Sequence, residues 1–285
     1  MKISPPHLAA ICLAVLGSLA TSSSAWSAER SESNPSRWPE ERLTAGGVAH
    51  INLGLESPPQ RAKYQGEPVL IRQTPAGWQA VIGISLDAEP GKHELQVDGK
   101  KLSFNVKEHD YKAQYITIAE EDMVTPPKHE LERIFAEQDE IRAAFRSRAE
   151  NTRPRLNLHT PVANARVSAE FGARRFINEK PRNPHNGLDL AAPTATPIEA
   201  AEAGKIVELG DYYFNGKSVL IDHGSGLVTM YCHMAKILVE RGAQVARGET
   251  IGTVGATGRV TGSHLHFSVI LNGNTVDPEL FLKEL

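Results

Sequence analysis

The 285-residue sequence predicts a mainly β protein with one helix near its middle, on three features. Short strand-like runs separated by Gly and Pro turn signals fill residues 44–120. One stretch with helical spacing follows. The remainder is again β-rich and heavy in glycine. The expected architecture is a small N-terminal all-β module, a connecting α-helix and a C-terminal antiparallel β-sandwich domain.

At the N-terminus, Lys2 precedes an apolar run from Leu8 to Ala20, LAAICLAVLGSLA. The run has the length of a signal-peptide core and is too short to span a bilayer. Small residues follow, and cleavage is expected after Ala28, with Ala25 and Ser27 as alternatives. Residues 1–28 are read as a signal peptide, which sends the protein to the periplasm or cell envelope; a retained anchor is the competing reading. Cys12 lies inside the apolar run behind Ile11, which does not suit lipid attachment. The other cysteine is Cys232. With the signal removed, no internal disulfide can form, and stability must come from the core or from a metal. A net charge of -3 gives no electrostatic case for nucleic acid. Export argues against nucleotide as a partner.

Residues 29–43 are polar, contain two prolines and read as a linker. The β module spans 44–120. Its strand-like runs are Val69–Ile71, Trp78–Ile84, His93–Val97 and Leu102–Val106. Turn signals at Pro75-Ala76-Gly77, Glu89-Pro90-Gly91 and Asp98-Gly99 divide them, the last well suited to a two-residue hairpin. His50, His93 and His109 are scattered through the module and fit structural or exposed roles. Pro126-Pro127 opens the helix, expected from Lys128 to Arg148 within a connector of residues 121–154. Leu131, Ile134, Phe135, Ile141 and Phe145 form its apolar stripe.

Residues 155–285 form the second domain. Glu199–Val207 and Gly242–Gly252 look like strand–turn–strand units of a sandwich. Lys205 and Lys217 lack the acidic or Met-rich setting of a carrier-domain lysine. Gly252, Gly255, Gly258 and Gly262 lack the terminal Gly-Lys-Ser/Thr of a phosphate loop.

Three elements carry chemistry. His264 and His266 stand at i and i+2 of a strand and enter one space side by side. His185 and Asp189 lie four residues apart, with Gly187 between them pointing to a loop that runs into a strand. In Tyr231-Cys232-His233, alternation puts Thr229, Tyr231 and His233 on one face and Cys232 on the other, so the thiol reads as buried and inert. Nitrogen and oxygen donors together suit zinc. Five candidates exceed the three ligands of a catalytic site, and four would close a structural one. Spacing alone does not choose between His264 and His266.

The order of these motifs resembles the lysostaphin-type (LytM-domain) zinc metallopeptidases of bacterial cell walls. The likeness runs from Val167 to Pro278 through SAEFGARR, HNGLD, AAPTATPI, DHGSGL, YCHM and HLHF, with Ala195-Thr196-Pro197 where relatives read Gly-Thr-Pro. The β module and helix are similar to the N-terminal region of some proteobacterial members. The resemblance implies one Zn(II) per chain held by His185, Asp189 and His266. It leaves His233 and His264 as the catalytic pair, His264 on the water and His233 sharing the oxyanion with zinc. It implies an exported endopeptidase that hydrolyses peptide cross-links of peptidoglycan through a zinc-activated water. The stem peptides would be its partner, and the β module could make an autoinhibitory contact. A monomer is expected. The alternative is a non-catalytic LytM-type regulator of cell-wall amidases, a role taken by relatives that have lost ligands, whereas here every ligand position is filled. A purely structural zinc in a protein that binds wall peptides is a third reading. His223 and His159 receive no chemical role.

Overall fold

A computed structural model of the protein describes Met1, residues 38–149 and residues 153–283; the expected signal peptide, most of the linker and the end of the connector lie outside the described residues. Among the described residues no helix is long and apolar enough to cross a membrane.

The N-terminal region holds two small sheets. One orders the strands Val48–Asn52, Gly77–Gly83 and Leu70–Thr74; the other orders Glu67–Pro68, Ala62–Tyr64, Gly91–Val97 and Lys100–Val106. The Asp98-Gly99 turn joins the last two strands, and both residues have positive φ, 46° and 82°. This is the backbone of a type I′ hairpin. Alternation then assigns the faces. Ala49, Ile82, Leu95, Val97 and Val106 close the module's own core. Val48, Leu70 and Val81, from the opposite face of the first sheet, enter the core of the C-terminal domain. The first sheet is therefore a shared middle layer, apolar on both sides.

The expected helix is Leu131–Phe145, shorter at both ends than the sequence suggests; at its start Lys128–Glu130 forms a 3₁₀ turn behind Pro127, and a second, four-residue helix, Glu121–Val124, precedes it. Ile141, Ala144 and Phe145 pack on Leu220, Val228, Met230 and Ile270. Phe135 does not share in this packing and is 59% exposed.

The C-terminal domain is one large antiparallel sheet. Its order is Gln244–Val245, Gly204–Tyr212, Gly216–Gly224, Leu227–Ile237, His264–Leu271, Leu188–Ala191 and Arg166–Ala169. The two strand–turn–strand units interlock instead of folding on themselves: Pro197–Glu199 pairs with Thr250–Val254, and Gly204–Tyr212 pairs with Gln244–Val245. Residues 113–116, expected in the N-terminal module, pair in parallel with Arg174–Ile177 of the second half. Tyr115 stacks on Phe176 there, ring centres 4.9 Å apart, a contact between non-local residues with no periodic signature.

Asn272 fastens the halves together. It takes the left-handed conformation of an Asn-Gly hairpin turn, φ 44°, next to Gly273 at 79°. Its buried Oδ1 accepts from Gly83 N at 2.6 Å and its Nδ2 donates to Gly83 O at 3.0 Å. A Cβ on Gly83 would lie 2.6 Å from Leu271 O, so only glycine allows this approach. Asn272→Ala should strand the buried Gly83 N–H and lower stability by about 1–3 kcal/mol in urea unfolding. Loss within error would mean that the two halves are joined by apolar contact alone.

Candidate metal centre

The site is built on strand register. Leu188–Ala191 and His264–Leu271 run antiparallel, with Asp189 directly opposite His266. Opposed residues share a face, so carboxylate and imidazole meet. His185 arrives from the preceding loop. Its N–H donates to Ala173 O at 2.9 Å, and its Nδ1–H donates to Glu170 O at 2.8 Å. That bond leaves the lone pair of Nε2 facing inward.

Three donor atoms then converge. His185 Nε2 is 2.9 Å from Asp189 Oδ1 and 3.0 Å from His266 Nδ1, and His266 Nδ1 is 2.8 Å from Asp189 Oδ1. Tetrahedral zinc with bonds of about 2.0–2.1 Å separates its ligands by about 3.3 Å. The triad is slightly tighter than that, and small side-chain shifts suffice to admit the ion. The outward atoms are engaged too: His266 Nε2 meets Ser268 Oγ at 3.0 Å, and Asp189 Oδ2 accepts from Arg175 Nη2 at 3.0 Å. Hydrogen bonds of this kind fix ligand tautomers in metal sites. Burial lowers the pKa of His266 to about 4 despite neighbouring Asp189. Burial would raise Asp189, but its hydrogen bonds with His185 and His266 outweigh that and hold it far below the usual carboxylate range. Among the described residues this is the one group of three or more His, Cys, Asp or Glu that could hold a metal ion.

His264 and His233 stand beside the triad. His264 Nε2 is 3.8 Å from Asp189 Oδ1, and its Nδ1 donates to Gly262 O at 2.9 Å. His233 reaches the site by a route that alternation does not predict. It has φ 64°, in the left-handed region. At this residue its strand changes partner: Cys232 still opposes His266, whereas Met234 opposes Val254. Tyr231 and Met234 both pack into the main core, three positions apart on one strand. The expectation that His233 continues the face of Tyr231 is therefore wrong, because the distorted backbone resets the phase. The His233 ring comes to 4.9 Å from that of His264 and 6.0 Å from that of His266, centre to centre. Its N–H donates to Asn215 O and its Nδ1–H to Thr257 O, both at 2.9 Å. Burial lowers its pKa to about 3, with His266 and His264 adding to the effect.

Cys232, opposite His266, lies on the face of the triad and not away from it. It packs with Met230, Val228 and Ile270, and burial pushes its pKa up to about 11. The thiol is inert through burial, not through direction. His223 sits apart, between Ala203 O at 2.9 Å and the Thr229 hydroxyl at 2.7 Å. His159 pairs with Glu199 at 2.6 Å.

Arg175, Asn215, Thr257, Ser268 and Arg259 were not singled out by sequence. All but Ser268 come from loops or short strands without periodicity. Ser268 was legible, since it continues the i, i+2 series of His264 and His266.

Residues 183–278 match the model of peptidase family M23, and residues 42–109 match that family's N-terminal domain. A solved Pseudomonas aeruginosa protein assigned to peptidase M23 is 40% identical, with a TM-score of 0.72 over 85% of this chain and 96% of its own. The chain belongs to peptidase family M23. It is similar to the peptidoglycan DD-endopeptidase ShyA of Vibrio cholerae, 42% identical over 113 residues, which are 39% of this chain and 26% of ShyA. It is also similar to the DD-carboxypeptidase/endopeptidase Mpg of Neisseria meningitidis, 39% identical over 118 residues, 41% of this chain and 27% of Mpg. The alignments thus span about a quarter of these two relatives.

Gly187 lets His266 into place: a Cβ there would lie 2.6 Å from His266 Nε2 and 2.6 Å from Phe267 O. Gly187→Ala should displace the imidazole and lower the bound zinc, measured by atomic spectroscopy, while the fold persists by circular dichroism. Full zinc occupancy in that variant would show that His266 is not held as described.

Proposed function

We propose that this protein is an exported zinc endopeptidase that hydrolyses peptide cross-links of peptidoglycan. The observation that carries the reading is the convergence of Nε2 of His185, Oδ1 of Asp189 and Nδ1 of His266 beside two further histidines. The names of ShyA and Mpg support a peptidoglycan DD-bond as the substrate. A regulator without catalysis has no need of the second pair, and a closed structural site needs a fourth ligand.

In this reading His185, Asp189 and His266 hold the zinc. When bound, the ion supplies Lewis acidity, lowering the pKa of a water and polarising the scissile carbonyl. The chain's own groups do the rest. The Nδ1–H of His264 and that of His233 are each committed to a backbone carbonyl, so in both rings Nε2 is the acceptor nitrogen. His264, nearer the triad, takes the proton of the attacking water at Nε2 and returns it to the leaving amine. His233 in this tautomer has no proton to offer an oxyanion. It orients the water as an acceptor and can stabilise negative charge only after Nε2 has been protonated. Its backbone conformation is maintained by Asn215, consistent with strain retained at a working position.

The cavity over the site supports an inhibitory contact from the N-terminal side. It measures about 170 Å³, and Gln114, Ile116 and Ile118 share its walls with Asp189, His233 and His264. Asn178 clasps Ile118 through two bonds of 2.9 Å. A peptide entering the cleft would pass along this segment.

The two histidines of the last motif separate the roles. His266→Ala should release zinc and activity together. His264→Ala should retain zinc and lose about 10²–10⁴-fold in rate, because a general base contributes to turnover and not to metal affinity. Zinc content and the muropeptides released from purified peptidoglycan, identified by mass spectrometry, are the readouts. An empty His264→Ala site would exchange the two assignments.

A further inference from the structure

Arg259 shares the walls of the cavity with Asp189, His233 and His264. Its guanidinium lies 4.3 Å from the centre of the Phe214 ring, and Nη1 donates to Met123 O at 3.3 Å. Neither partner is an anion, and among the described residues no carboxylate pairs with it. The charges that act on it most, Arg175 and Arg182, are of its own sign. Burial, with Arg175 and Arg182 adding to the effect, lowers its pKa to about 10, which leaves it charged at neutral pH. Arg175 differs, because its Nη2 is taken by Asp189 and its Nε by Gln114. Arg182 gives Nη2 to Val124 O at 2.7 Å, and its Nε is buried without a partner. A half-buried cation beside like charges is costly to maintain unless an anion arrives.

We infer that Arg259 is a specificity residue that binds a carboxylate on the leaving-group side of the scissile bond, with Arg182 adding to the field. The inference rests on the peptidoglycan reading for its substrate and on the cavity for its charge. Where D-alanine is joined directly to the D-centre of a diamino acid, the carbon bearing the scissile nitrogen also bears a free carboxylate. The same holds for a C-terminal D-alanine. The carboxylate is then two bonds from the nitrogen, and the cavity is of single-residue size. A guanidinium accepts a carboxylate through two parallel N–H bonds. A glycine bridge offers no such group, so the site selects direct cross-links and free C-termini against bridged ones.

The test uses the zinc-loaded protein and two probes, acetyl-D-alanyl-D-alanine and its C-terminal carboxamide. In a His264→Ala background, which slows turnover by about 10²–10⁴-fold, the acid should bind about tenfold or more tightly than the amide by calorimetry, as for a charged hydrogen bond. Adding Arg259→Gln should abolish the preference, whereas Arg259→Lys should keep its direction because the charge remains. Zinc content should not change in either variant. With His264 intact, the preference should reappear in kcat/KM. Equal binding of acid and amide would overturn the assignment, as would Gln and Lys variants that behave alike. Selective binding without hydrolysis of either dipeptide or of purified peptidoglycan would sink the endopeptidase reading and leave the carboxylate site standing. Hydrolysis without selectivity would do the reverse.

Discussion

The pairing of Asp189 with His266 across two antiparallel strands is the constraint on which the site depends. Register fixes both side chains on one face, and a slip of one residue would send each to the opposite side. The pair then sets the position of everything else. His185 closes the triad from a loop pinned by Ala173, Gly172 and Glu170. Arg175 and Ser268 hold the outward atoms of the carboxylate and imidazole. Leu188, Leu190, Leu265 and Phe267 secure the strands from below by packing into the fully buried core. The apolar face of the sheet thus supplies the rigidity that the polar face requires.

A different device places the second pair of histidines. His264 follows from the strand, but His233 reaches the site only because its residue leaves strand geometry where its neighbours change pairing partner. The left-handed conformation costs a non-glycine residue about 1–3 kcal/mol. Asn215 and Thr257 bind the backbone and ring and offset part of that cost. One histidine is therefore positioned by regularity and the other by its interruption.

These two devices also explain what could be read from the sequence. The mainly β character, the Asp98-Gly99 hairpin, the longer helix at Leu131–Phe145 and the His264/His266 pair follow from local periodicity and turn chemistry, whereas the four-residue helix Glu121–Val124 does not. Convergence of His185 and Asp189 with that pair follows from the order of motifs, through resemblance, since nothing local brings residues 185 and 266 together. The phase shift at His233 was invisible because no glycine or proline marks it. Cys232 does lie with Val228 and Met230 on the face opposite Tyr231, as alternation places it, and its inertness was anticipated; the error was to set His233 on the other face. The pairing of residues 113–116 with Arg174–Ile177, and the contribution of Arg259 from a loop, are long-range consequences of topology that leave no periodic trace.

The central claim is that one zinc ion sits among three unlike donor atoms, chosen by the hydrogen bonds behind them. A crystal structure of the zinc-loaded protein, with anomalous diffraction at the zinc edge, tests it most directly. The account predicts one peak, about 2.0–2.2 Å from His185 Nε2, Asp189 Oδ1 and His266 Nδ1, with His264 and His233 outside bonding distance. A peak bonded to His264, or to Nε2 of His266, would contradict it.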